Sequence, residues 1–265
     1  MAVSVTEFVV CPAAVGAAIQ KMKWTDDGWL RMEDGTNLVK DYVVESKLPE
    51  YKTKEIPNFD DFNDEKLGIQ YYAPRISPLS FADTKSRKGY VRIRGQESLC
   101  SLNKVSILAR KLTSVYATIT TKMEFKPEVY QHSAGLVMYY DNMNYIYLRK
   151  YYSKTLNSSA ISIIHLENGE KTEFINTRVK VEDCSIYFRL KINGRMSYFE
   201  WSYDNKNYER IGQVFDTTKF SDEYCKYGEF TGTFVGITCI DSVLHKHYAD
   251  FDFFEYVADE SKGIE

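Results

Sequence analysis

Two Asn-Gly pairs, at residues 168–169 and 193–194, constrain the fold of this chain more than any other feature. Asn-Gly between alternating apolar runs is the strongest short signal for a two-residue β-hairpin loop. The flanking runs are rich in β-branched and aromatic residues and cover Ile161–Leu166 with Thr172–Ile175, and Ile186–Ile192 with Met196–Trp201. The chain is therefore predicted to fold through antiparallel hairpins.

Further strands are predicted on both sides of these hairpins. Apolar and polar side chains alternate through Val115–Phe125, which gives a long strand with one more apolar face. Gly135–Tyr140 and Tyr145–Arg149 flank a four-residue loop, Asp141–Asn144. Helix signals are nearly absent, and no repeat recurs at a fixed period. Many short strands separated by turn residues predict an all-β sandwich or barrel and give no support to a propeller in residues 59–258.

Composition limits the classes of function. Thirty-four basic and 37 acidic residues give a net charge of −3, which disfavours nucleic acid as a partner. The 265 residues include 21 Tyr and 15 Phe, which suits half-buried sheet surfaces and also suits sugar-binding faces. No apolar run is long enough to span a membrane, so no membrane partner is expected.

The cysteines and the N-terminal residues indicate the cellular compartment in which the protein is expected. Five cysteines with no CxxC spacing indicate free thiols in a reducing compartment. The apolar run at residues 8–18 lacks a basic start and contains Pro12, so we interpret it as not being a signal peptide. Cytoplasmic localisation is expected.

The chain divides by composition into four parts. Residues 1–32 are apolar and strand-prone and end in a turn, Asp27-Gly28, between Trp24 and Trp29. Residues 33–58 are polar and irregular and are predicted to form a linker held on a surface. Residues 59–258 form the β domain, and residues 259–265 form a tail.

Eight segments, taken in order, carry a family resemblance: Ala18–Arg31, Asp60–Phe62, Lys66–Gln70, Lys88–Leu99, Leu108–Lys111, Ser133–Tyr140, Phe230–Gly236 and Ala249–Tyr256. Together they resemble the β-xylosidases of glycoside hydrolase family 43, in which a five-bladed catalytic propeller is followed by a β-sandwich. Ala18–Arg31 resembles the closing strand of that propeller. The resemblance implies an all-β fold for the rest: a two-sheet antiparallel β-sandwich, a concanavalin A-like jelly roll, with a short N-terminal strand segment.

The same resemblance guides what is expected of catalysis. In the family all three catalytic carboxylates lie in the propeller, and no position here matches those motifs. Inverting hydrolysis needs two carboxyl groups about 6.5–9.5 Å apart, one of them with a raised pKa. The acidic pairs of this chain all have a simpler interpretation as turn or strand-edge residues. No catalytic residue is predicted.

Phe230 is the residue that the resemblance singles out. In the family an aromatic side chain just before the Thr-Gly of this segment reaches from the sandwich to the substrate pocket of the propeller and helps to close it. Phe230 stands at that position, after Gly228-Glu229. The alternative interpretation is a core phenylalanine at the start of a strand.

Other side chains are candidates for binding. Trp201, Tyr139 and Tyr147 belong to an aromatic-rich pair of hairpins and are candidates for stacking on sugars, with packing between sheets as the alternative. His245 and His247 have the spacing of a metal-binding pair, but we interpret this segment as a solvated loop.

Asp61 and Asp250 are the candidate metal ligands. They lie on the first and last strands of the sandwich, where oxygen ligands could hold a structural calcium ion. The alternative is turn chemistry, and no other cofactor is expected.

The leading functional hypothesis is a non-catalytic sandwich module of a β-xylosidase-type enzyme of xylan degradation. Its expected partners are a catalytic propeller, a xylo-oligosaccharide or related sugar, and a second copy of the chain. The alternatives are a free-standing carbohydrate-binding module, or one part of a split β-xylosidase or α-L-arabinofuranosidase.

Overall fold

The computed structural model describes residues 20–36, 38, 52, 55–227, 231–259 and 262. Its strands are β1 (Met22–Trp24), β2 (Leu30–Met32), β3 (Phe59–Asp60), β4 (Ala82–Asp83), β5 (Val91–Arg94), β6 (Ile107–Lys111), β7 (Tyr116–Glu124), β8 (His132–Asp141), β9 (Asn144–Ser153), β10 (Ser158–Glu167), β11 (Glu170–Glu173), β12 (Val179–Lys180), β13 (Ile186–Asn193), β14 (Met196–Ser202), β15 (Glu209–Asp216), β16 (Phe234–Asp241) and β17 (Tyr248–Ala258). Single turns of 3₁₀ helix cover Pro78–Ser80, Ile175–Thr177 and Thr217–Lys219.

Two antiparallel sheets form a sandwich, as expected from the sequence. Sheet I has the order β15-β14-β13-β7-β17-β5-β4, with β3 paired to β17. Sheet II has the order β11-β10-β9-β8-β16-β6, with β12 paired to β10. Strands that are distant in the chain lie side by side in both sheets, since β17 lies between β5 and β7, and β16 lies between β6 and β8.

The hairpin predictions are confirmed with small shifts of register. The turn between β10 and β11 contains Asn168 and Gly169, both with positive φ (48° and 88°), as an Asn-Gly hairpin turn requires. In the next hairpin Asn193 pairs with Met196, so the two-residue loop is Gly194-Arg195 and begins one residue later than predicted. The loop between β8 and β9 likewise shortens to two residues, because Asp141 pairs with Asn144.

The two sheets differ in what covers their outer faces. In β13 buried and half-buried residues alternate, which is typical of an antiparallel sheet with one face in water. In β8 all ten residues are buried, so sheet II is covered on both faces. A second hydrophobic cluster occupies its outer face and includes Leu99 and Val105 from the segment before β6. Sheet II therefore carries two apolar layers, and sheet I carries one.

A short hairpin forms a separate two-stranded sheet. β1 and β2 pair only with each other among the described strands, and Trp24 and Trp29 are 74% and 68% exposed. Gly28 adopts positive φ (79°) in the turn, as the Asp27-Gly28 signal predicts. The described residues leave out residues 1–19, most of the predicted linker and most of the predicted tail. Among the described residues, no helix is long and apolar enough to cross a membrane.

Candidate functional site

A cavity of about 490 Å³ opens at the β6 edge of sheet II and is the candidate site. It lies between the outer face of that sheet and the segment that follows Tyr71. The residues that line it are Tyr72, Ala73, Pro74, Arg75, Ile107, Ala109, Lys111, Tyr139, Tyr140, Asp141, Thr231 and Phe234. A mostly apolar cavity with a few polar groups is the usual form of a small-ligand site.

Backbone pairing fixes one wall of the cavity. The N–H of Tyr72 donates to the carbonyl oxygen of Ala109 at 2.8 Å, and the N–H of Ala109 donates to the carbonyl oxygen of Tyr72 at 3.0 Å. Tyr72 therefore extends sheet II by one residue beyond β6. Arg75 has a left-handed backbone (φ 65°), which turns the chain after this contact.

Gly236 allows the strands behind the cavity to approach closely. A Cβ atom on Gly236 would lie 2.4 Å from the carbonyl oxygen of Leu108 on the neighbouring strand β6. A side chain at this position would therefore push β16 away from β6, and the strand pair that carries Phe234 and Ala109 would separate. Glycine is required here for packing rather than for its φ angle.

Aromatic rings give the cavity its apolar surface. Tyr72 and Phe234 meet edge to face with ring centroids 5.8 Å apart, and Tyr139 stacks on Tyr145 at 6.1 Å. Tyr72 is 47% exposed, so part of its ring is accessible to a ligand. Rings of this kind suit the apolar faces of sugars.

Charged groups lie at the mouth. Lys111 and Arg75 are exposed, and the Lys111 Nζ atom lies 5.9 Å from the centroid of the Phe234 ring. Asp141 is buried and accepts hydrogen bonds from the Met143 N–H at 2.7 Å and from the Asn144 amide at 3.0 Å. Asp141 therefore organises the β8–β9 turn, and the two cations are the polar groups presented to solvent.

The predicted pocket aromatic, Phe230, lies outside the described residues. Its neighbour Thr231 is described and lines the cavity. The side chain of Phe230 is not described, and its role stays a prediction.

The structure separates the three residues predicted to stack on sugars. Only Tyr139 lines the cavity. Trp201 is buried in the core between the sheets and meets Tyr203 edge to face at 5.1 Å. Tyr147 is buried in the second cluster, donates to Ser133 Oγ at 3.4 Å, and has a pKa raised by burial. Tyr139 is also buried, at 6% exposure, so a sugar would reach any of the three rings only after their neighbours moved. The stacking role stays a prediction.

The two calcium candidates have other partners. Asp250 accepts from Arg92 Nε at 2.7 Å and from Arg87 at 3.1 Å. Asp61 accepts from the side chain and the backbone N–H of Asn63, and these bonds lower its pKa. These contacts satisfy both carboxylates without an ion. The calcium prediction stays a prediction.

Sequence reasoning missed the most accessible part of the site. Tyr72 and Arg75 carry no motif, and Lys111 only ends one of the segments of the resemblance. Tyr72 and Phe234 meet only because β6 and β16 pair although they are far apart in the sequence. Phe234 belongs to a segment that the resemblance included. Its contact with Tyr72 is a tertiary contact that no local sequence pattern indicates.

Comparison with known proteins agrees with this fold and identifies the family. Residues 59–257 match the family described as the β-xylosidase C-terminal concanavalin A-like domain. The chain belongs to this family. The match begins at β3 and ends in β17, so it covers both sheets of the sandwich.

Two curated relatives extend beyond the match. The xylan 1,3-β-xylosidase of a Vibrio species is 29% identical over 242 residues, which cover 91% of this chain and 45% of that protein. The β-xylosidase of Bacillus subtilis strain 168 is 28% identical over 250 residues, which cover 93% of this chain and 46% of that protein. The chain thus spans about half the length of the curated relatives it matches.

A solved structure shows the same fold. The crystal structure of xylan β-1,4-xylosidase from Bacillus halodurans C-125 superposes with a TM-score of 0.81 at 34% identity. The match covers 89% of this chain and 46% of that one. The sandwich described above therefore corresponds to one part of a longer glycoside hydrolase of family 43.

Proposed function

We propose that this chain serves as the non-catalytic β-sandwich of a family 43 β-xylosidase-type enzyme. In this role it packs against a catalytic propeller and adds Phe230 to the wall of the substrate pocket. The observation that carries the proposal is the match of residues 59–257 to a C-terminal β-xylosidase domain, in a chain that spans about half of its relatives. The sugar is proposed to be a xylo-oligosaccharide, and the compartment is proposed to be the cytoplasm.

Two structural features support docking to a propeller. Thr231, the residue that follows Phe230 in the sequence, lines the cavity. The β1–β2 hairpin presents two exposed Trp side chains, and its sequence resembles the closing strand of the propeller. Burial of one large apolar side chain contributes about 1.5–3 kcal/mol, so covering both rings would contribute substantially to association.

The carboxyl groups of the described residues support a non-catalytic role. The general acid of an inverting glycosidase has a raised pKa. Every described Asp or Glu with a shifted pKa has that pKa lowered. In Glu124, for example, the hydrogen bond from Arg87 lowers the pKa against the effect of burial. Such groups remain ionised at neutral pH and do not donate protons there.

The chain alone is expected to release no nitrophenol from p-nitrophenyl β-xyloside or α-L-arabinofuranoside. Addition of the part of Bacillus subtilis β-xylosidase outside the match is expected to give a complex on size-exclusion chromatography and to raise hydrolysis. The matched half of that enzyme, added in the same way, serves as the positive control. Hydrolysis by the purified chain alone would contradict the non-catalytic role. If the positive control restores hydrolysis but this chain forms no complex with the added part of the enzyme, the proposed docking to a propeller is contradicted.

Replacement of Phe230 by Ala is expected to lower kcat/KM of the complemented enzyme by about tenfold, or ~1.4 kcal/mol of transition-state stabilisation. The reason is that the pocket would lose part of its wall. The stability of the chain alone should change by much less than the ~3–5 kcal/mol typical of a buried Phe. Tyr227→Ala, at an exposed position on the same connection, is the matched control. A loss of several kcal/mol in urea unfolding would show that Phe230 is a core residue.

A further inference from the structure

Two histidines and a glutamate meet at one end of the sandwich, away from the residues that line the cavity. Glu128 lies in the connection between β7 and β8, His132 begins β8, and His247 immediately precedes β17. One potential ligand atom from each lies within 4.8 Å of the other two. Within the described part of the chain, this is the one group of three or more His, Cys, Asp or Glu with such spacing.

Neighbouring groups contact both nitrogens of His132 and one nitrogen of His247. In His132, Nε2 lies 3.4 Å from a carboxylate oxygen of Asp241, and Nδ1 lies 3.4 Å from the backbone N–H of Glu128. In His247, Nε2 lies 2.8 Å from the carbonyl oxygen of Lys126. A hydrogen on Nε2 of each ring satisfies the Asp241 and Lys126 acceptors. Nδ1 of His247 then has an unused lone pair, whereas Nδ1 of His132 accepts a long hydrogen bond from the Glu128 N–H, which a bound ion would replace. Carboxylate and carbonyl partners of this kind orient metal-binding histidines.

The two rings are stacked, with centroids 4.2 Å apart and planes 13° apart. Lone pairs in parallel rings do not converge on one point, so one ring must turn to share an ion. His247 is the less buried ring and is the one expected to turn.

We propose that Glu128, His132 and His247 form a binding site for a divalent transition metal of the Zn²⁺ type. Two imidazoles and one carboxylate are ligands that Zn²⁺ accepts, whereas Ca²⁺ prefers oxygen atoms alone. Asp241, which contacts Nε2 of His132, forms the outer shell, and the turn of His247 exchanges its contact with the Lys126 carbonyl group for the ion. Three protein ligands leave a fourth position for water.

The location of the site indicates a structural role. Glu128 and His132 belong to the connection from sheet I to sheet II, and His247 belongs to the connection that returns to sheet I. An ion held by all three would join the two connections at this end of the sandwich. The His-x-His spacing in the sequence suggests a different pair, and the solvated-loop interpretation does not hold for His247, since it stacks on His132 from another strand.

Zinc titration of the full chain tests the proposal. After treatment with EDTA and desalting, isothermal titration calorimetry with ZnCl₂ is expected to show one site per chain. Zn²⁺ is expected to raise the melting temperature because an ion that binds only the folded state stabilises it. CaCl₂ at the same concentration is expected to leave the melting temperature unchanged.

Single variants distinguish the site from adventitious binding. Glu128→Gln and His247→Gln are each expected to weaken zinc binding by at least about tenfold, since even outer-shell partners contribute about 10–100-fold. Glu128 is exposed, so its variant should fold normally. His245→Asn, on the same loop, is the matched control and should bind as the parent does. The proposal is overturned if the parent chain binds no zinc, if Glu128→Gln binds as well as the parent, or if His245→Asn loses binding as His247→Gln does.

Discussion

Truncation of Phe251 to Ala is expected to lower the free energy of unfolding by about 3–5 kcal/mol. Phe251 is 0% exposed and belongs to the core between the sheets. It lies on β17, where it pairs with Val91 of β5 and Met123 of β7. The surrounding backbone is hydrogen-bonded on both sides and cannot collapse into the cavity left behind, so the loss should lie at the upper part of the range. Urea unfolding followed by Trp fluorescence measures it.

Phe59→Ala is the matched control for this variant. Phe59, on β3, is 51% exposed and stacks on Phe253 of the neighbouring strand β17, with ring centroids 5.3 Å apart. A stacked pair of this kind contributes about 0.5–1.5 kcal/mol beyond burial, so a small loss is expected. Equal losses for the two variants would contradict the assignment of Phe251 to the centre of the sandwich.

Replacement of Asp241 by Ala is expected to lower the free energy of unfolding by at least about 3 kcal/mol at pH 7. One buried donor left without an acceptor costs about 1–3 kcal/mol, and this variant removes the acceptor of several donors. Asp241 is buried at the end of β16 and accepts hydrogen bonds from four backbone N–H groups. The donors are Val243 at 2.9 Å, Leu244 at 3.1 Å, Lys246 at 2.8 Å and His247 at 2.9 Å. The variant would release the whole β16–β17 connection. Urea unfolding in the presence of EDTA isolates this effect from any bound metal.

The contribution of Asp241 should depend on pH. Burial by itself would raise the pKa of Asp241, but the backbone donors outweigh burial and hold the pKa well below its ordinary value of 3.8. A carboxyl group whose pKa is lowered by folding stabilises the protein above its unfolded pKa and loses that effect as the pH falls. The difference between the parent and Asp241→Ala should therefore be full at pH 7 and smaller at pH 3. A difference that stayed constant between these values would show that the charge of Asp241 does not contribute.

Several elements of the fold follow from local sequence. The Asn168-Gly169 turn forms because both residues accept positive φ, whichever strands lie beyond it. The strand predicted over Val115–Phe125 is observed as β7 (Tyr116–Glu124), because a period of two gives a strand one face for the core. The loop after Asn193 shifted by one residue because pairing across the hairpin, rather than turn propensity alone, sets its register.

Whether a side chain is buried or accessible depends on contacts between residues that are distant in the sequence. Alternation shows which side chains share a face of a strand, but it does not show what covers that face. Tyr147 and Tyr139 are both buried in the second cluster on the outer face of sheet II, yet of these two only Tyr139 lines the cavity. His247 meets His132 because the connections between the sheets converge at one end.

The strands, their turns and the family of the domain can be predicted from the residues alone, since they depend on residue order and short-range backbone preference. The contact between Tyr72 and Phe234, the burial of Trp201 between the sheets and the approach of Glu128 to two histidines depend on the tertiary fold. The physical reason is that side-chain burial and ligand geometry arise from packing between strands far apart in the chain, and such packing leaves no periodic signal in the sequence around any one of them.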